Sequence, residues 1–116
     1  MAEPRLVVLN LKNEKIAWSK FSVLWSANGK ERLGSFSESE IFDNQSNVVA
    51  TVHNDNVLDS NGSILGCIDE ETVLSKSFRI PTYNIIISGV VLGKVRSSKA
   101  LACASVILLN DILQKS

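Results

Sequence analysis

This chain of 116 residues carries little of what usually advertises chemistry. It has one histidine, His53, and two cysteines, Cys67 and Cys103. These are too few and too scattered for a zinc set or a disulfide framework. Twelve basic residues stand against twelve acidic ones, leaving no net charge, so neither nucleic acid nor an anionic membrane is an expected partner. Apolar runs such as Val106–Leu109 fall far short of a bilayer span. Residues 1–5, Met-Ala-Glu-Pro-Arg, lack the basic-then-apolar layout of a signal peptide. A cytoplasmic protein with reduced thiols is expected. No linker or charge block divides the chain, so one domain over residues 1–116 with a single core is expected. No G-x-G-x-x-G or G-x-x-x-x-G-K run is present, which leaves the six glycines an architectural role, and no cofactor is expected.

What the chain does have is a repeat. An apolar pair, a turn built on Asn, Gly or Ser, an apolar residue and then Ala or Gly recur about every 16 residues: Val8-Leu9…Ile16-Ala17, Val23-Leu24…Leu33-Gly34, Ile41-Phe42…Val49-Ala50 and Val57-Leu58…Leu65-Gly66. A fifth copy, Val73-Leu74…Leu92-Gly93, reads as the same unit split by an insertion at 76–87. The spacing predicts about five β-hairpins over residues 7–96, arranged as an antiparallel meander. Within units, Val48, Ala50 and Val52 alternate with Val49 and Thr51, and Ile64, Gly66 and Ile68 with Leu65 and Cys67, giving strands with one better-buried face. The residue before the small one is also apolar in every copy, so the second face should be partly covered too.

The C-terminal segment is the expected cover. Ser97 or Ser98 can cap a helix over about 98–114, and Ala100 to Leu109 leave no polar stripe in its first turns. A helix apolar all round is buried on all sides, and a closed or nearly closed meander surrounding it would satisfy both demands. Asn110-Asp111 and Gln114-Lys115 interrupt the segment too soon for a membrane helix.

The unit Val57-Leu58-Asp59-Ser60-Asn61-Gly62-Ser63-Ile64-Leu65-Gly66-Cys67-Ile68 resembles the repeat of the bacterial β-flower proteins, in which hairpins form petals about a rotation axis. Five copies imply a five-petalled version. The resemblance covers roughly residues 7–96 and implies a fold without an activity. A second resemblance is to the tubby-like barrel shared with scramblases, where a twelve-strand meander encloses a C-terminal apolar helix. Ala at 17 and 50, a turn without Gly around Ser46-Asn47 and the interrupted fifth unit depart from the pattern.

Two places are candidate sites. Residues 76–87 hold the only Tyr and the only internal Pro, and Phe78, Arg79 and Tyr83 are residue types enriched in binding hot spots. Either their tip contacts a partner, or Tyr83 to Ile87 forms a lengthened strand completing the sheet. The junctions between units gather Glu38, Glu40, Asp55, Asp69, Glu70 and Glu71, either a rim able to hold Ca²⁺ or a basic partner, or ordinary solvated turns. Trp18 and Trp25 read as packing residues before carbohydrate platforms. A Cys67/His53 dyad would require neighbouring units to bring the two together. The expectation is a non-enzymatic structural or protein-interaction module whose partner is not readable. The alternative is a small-molecule or lipid binder using the interior beside the helix or the insertion. Self-association through an exposed edge or the apolar insertion stays open.

Overall fold

The hairpin tips show why each unit folds as it does. In the third unit Asp43 Oδ1 accepts hydrogen bonds from the N–H groups of Gln45 (2.8 Å) and Asn47 (3.0 Å). Asp59 does the same with Asn61 (2.8 Å) and Ser63 (2.9 Å), and Asn10 with Lys12 (2.9 Å) and Glu14 (3.0 Å). The short polar side chain thus closes the turn on its own backbone. Three residues later each tip enters the left-handed region, at Asn13 (φ 62°), Ser46 (φ 64°) and Gly62 (φ 84°). The second unit builds the same tip from Ser26, with Gly29 at φ 75°. The fifth uses the two-residue Ser88-Gly89 turn, both at positive φ.

The computed structural model describes residues 6–71 and 81–115. Ten strands follow in order: β1 (Leu6–Asn10), β2 (Lys15–Lys20), β3 (Val23–Ser26), β4 (Arg32–Phe36), β5 (Glu40–Phe42), β6 (Val48–His53), β7 (Asn56–Leu58), β8 (Ile64–Glu71), β9 (Thr82–Ile87) and β10 (Val90–Arg96). Each pairs antiparallel with its sequence neighbours, and β1 pairs with β10 through Val8–Val95, Leu9–Lys94 and Asn10–Gly93. The meander is therefore a closed barrel. Closure leaves no free edge on this sheet, so among the described residues self-association through an exposed edge has no strand to use.

The repeat is visible as a ladder of large and small residues. Val8 faces Ala17, Leu24 faces Gly34, Ile41 faces Ala50 and Val57 faces Gly66. In the fifth hairpin the large partner of Gly93 is Ile85, whereas Val73-Leu74 lie outside the described residues. The fifth hairpin is thus not split. Residues 82–87 are its first strand, and the extra length falls between β8 and β9. Sequence alone missed this because Ile85-Ile86-Ile87 are three identical apolar residues with no register marker. Each of the five hairpins also has one register irregularity beside its large–small pair, and the pairings between hairpins have none. A bulge bends its strand and increases its twist, so five bulges at equivalent places curl the sheet round to closure.

The helix fills the barrel. After Arg96, Ser97 takes φ 61° and donates its N–H to Pro81 O (2.7 Å), turning the chain inward. Ser98 Oγ accepts from Leu101 N (3.1 Å) as N-cap of α1 (Lys99–Leu108). Leu101, Ala102, Cys103, Ala104, Ser105 and Val106 are buried in succession, so every side of the helix meets protein. The expected helix over 98–114 is broken at Leu109, after which α2 (Asn110–Lys115) continues.

The helix packs on the small-residue face. A Cβ on Gly66 would sit 2.5 Å from Ile86 O and 2.8 Å from Val106; one on Gly93 would meet Leu113 at 2.8 Å. Small residues there let the strands approach the helix. Ile16, Leu33, Val49, Leu65 and Leu92 are half-buried and packed against the core. The better-buried set also ends sooner than alternation implied: Val48 and Ile64 precede the bulges and are exposed.

Candidate functional site

The barrel has two ends. At the mouth lie the junctions between hairpins and the start of α1; at the opposite end lie the five hairpin tips and α2.

Of the sequence-predicted site residues, Phe78 and Arg79 lie outside the described residues. Tyr83 belongs to the barrel wall: it faces Glu70 on one side and Val95 on the other, and is half-buried against the core. Tyr83 to Ile87 therefore form the strand that completes the sheet, and Ile85 and Ile87 are buried. Their side chains are not available to a second copy.

The mouth holds a cleft of about 560 Å³ lined by Glu38, Val52, Asn54, Asp55, Ser97, Ser98, Lys99 and Ala100. Within it the Asp55 carboxylate pairs with the Lys99 ammonium across two half-exposed side chains. That contact raises the Lys99 pKa, first by the hydrogen bond and then by the charge of Asp55. The junction carboxylates do not converge: Asp69 faces Asn84, Glu70 faces Tyr83, and Asp55 already has its cation. Among the described residues no three His, Cys, Asp or Glu side chains come together as a metal site.

The Cys67/His53 pair is kept apart by register. His53 faces Asn56, which faces Cys67, so β7 lies between them. Two strand spacings amount to roughly 9–10 Å. The imidazole Nε2 lies instead 3.3 Å from the Asn54 side-chain amide. Cys103 is buried in α1, and burial pushes its thiol up to about 11. A thiol so placed is protonated at neutral pH and is a poor nucleophile. Trp18 and Trp25 face each other across β2 and β3, with stacked rings 5.9 Å apart. Trp18 also lies over the second tip, 3.2 Å from where a Gly29 Cβ would be. The two tryptophans join neighbouring hairpins.

The tip end differs in character. Leu11 (60% exposed), Val48 (44%), Ile64 (65%), Val90 (55%) and Ile112 (37%) all lie there, and they are five of the six exposed large apolar side chains among the described residues. Val48 and Ile64 hold one equivalent place, two residues before the small residue in hairpins three and four, and Val90 stands one residue nearer the turn in hairpin five, where Val91 holds that place. Hairpin two carries Arg32 at that place. Sequence reasoning missed this cluster because alternation assigned Val48 and Ile64 to the buried face. The signal was their position directly after a turn.

No family model, curated protein or solved structure matches the chain. Among the described residues no helix is long and apolar enough to cross a membrane.

Proposed function

We propose that this chain is a non-enzymatic protein-interaction module of the β-flower type, a rigid helix-filled barrel that presents its hairpin-tip end to a protein partner. The observation that carries this reading is the gathering of Leu11, Val48, Ile64, Val90 and Ile112 at one end. An apolar cluster that stays in water is costly unless a partner covers it. Short turns closed by their own side chains hold it rigidly, which lowers the entropy lost on binding. The alternative of a ligand held beside the helix is opposed by packing, since at Gly34, Gly66 and Gly93 even one added methyl group would overlap a neighbour. A cytoplasmic location belongs to the same proposal.

The test is photocrosslinking in living host cells, with a photoreactive residue placed singly at Leu11, Ile64 or Val90 on the tips, or at Glu38 or Asn54 at the mouth. Protein adducts from the tip positions alone are expected. Adducts confined to the mouth would overturn the reading.

A further inference from the structure

We infer that the partner of the tip end is a second copy of this chain, docked tip to tip about a two-fold axis; this rests on the tip end being the binding surface. The argument is the distribution of charge around the five hairpins, which follow one another in sequence order round the closed barrel.

Hairpins one and two bring Lys12, Lys15, Lys30 and Arg32 against Glu14 and Glu31, an excess of two positive charges. Hairpins three and four bring only Asp43 and Asp59, two negative charges, and hairpin five brings none. In α2, Asp111 and Lys115 cancel. The end as a whole is neutral, which disfavours an anionic membrane, but it is basic on one side and acidic on the other.

A two-fold axis lying in the plane of the tips and passing through hairpin five sets hairpin one of one copy on hairpin four of the other, and hairpin two on hairpin three. Each basic tip then meets an acidic one. The apolar residues match in the same operation. Leu11 comes to Ile64, and Val90 meets its own counterpart at the axis. Val48 falls under Arg32, whose aliphatic stem can cover it. A surface that complements itself in both charge and polarity is what an isologous dimer needs. At the mouth Asp55 already has its cation within one copy, Lys99.

The experiment is sedimentation equilibrium of the full chain at low salt. A mass near twice 12.7 kDa is expected, with at least a tenfold weaker dimer in Ile64→Asp/Val90→Asp. Two charge variants make the test specific. Lys12→Glu/Lys30→Glu, which sets like charges against each other at each charged tip pair, should be monomeric alone; Gln45→Lys/Ser60→Lys, which only cancels the two acidic tips, should dimerise more weakly than the native chain; a mixture of the two should favour the heterodimer. Circular dichroism checks that every variant is folded. A dimer that survives Ile64→Asp/Val90→Asp would overturn both the pairing and the tip surface. A wild-type chain that stays monomeric would overturn the pairing alone, leaving the tip surface to the crosslinking test.

Discussion

Two polar side chains illustrate how single residues set stability. Ser19 is buried, and its hydroxyl has no hydrogen-bond partner among the described residues. A hydroxyl in that state has lost water and gained nothing, at a cost of about 1–3 kcal/mol. Ser19→Ala should therefore raise the urea midpoint, and a loss of stability would show that the hydroxyl is hydrogen-bonded after all. Asp43 is the opposite case. The N–H groups of Asn47 and Gln45 hold its carboxyl below its ordinary 3.8. With a depressed folded-state pKa, its contribution is complete above that ordinary value and disappears as pH falls through the lower one. Asp43→Asn keeps an oxygen for the turn but has no proton to take up. Its denaturation free energy should fall less steeply than that of the native chain below about pH 4, and identical slopes would remove Asp43 from the acid response.

At the scale of elements, the hairpins and helix follow from residues with one strong preference. Asp59 closes its turn, Gly62 takes the positive φ the turn needs and Gly66 lets the helix approach, and the fourth hairpin stands where the repeat placed it. The helix followed from an all-round apolar segment and the Ser98 cap. What could not be read was register through apolar residues of equal size. Ile85 rather than Val73 is the partner of Gly93, and the bulges moved Val48 and Ile64 out to solvent. The tip cluster was hidden for that reason. The strand–helix contact yields its own prediction: Gly66→Ala should cost about 1–3 kcal/mol, because Ile86 O and Val106 leave no room. Thiol labelling reports on the same element. Half-buried Cys67 should react under native conditions, whereas Cys103, buried and raised to about 11, should react only on unfolding. Equal rates would mean that the helix leaves the barrel readily.

For the whole molecule, closure leaves no strand edge in the ten-strand sheet among the described residues, and α1 packs against the barrel wall at Gly34 and Gly66, so the proposed recognition is assigned to the two ends. The mouth compensates its charge locally through Asp55 and Lys99; the tips leave five apolar side chains in water. The most direct test of this division is a dilution series followed by amide-resolved NMR. The account predicts concentration-dependent shifts at residues 11, 48, 64, 90 and 112, with residues 38, 55 and 99 unmoved. Shifts centred on the mouth, with the tips unchanged, would contradict it.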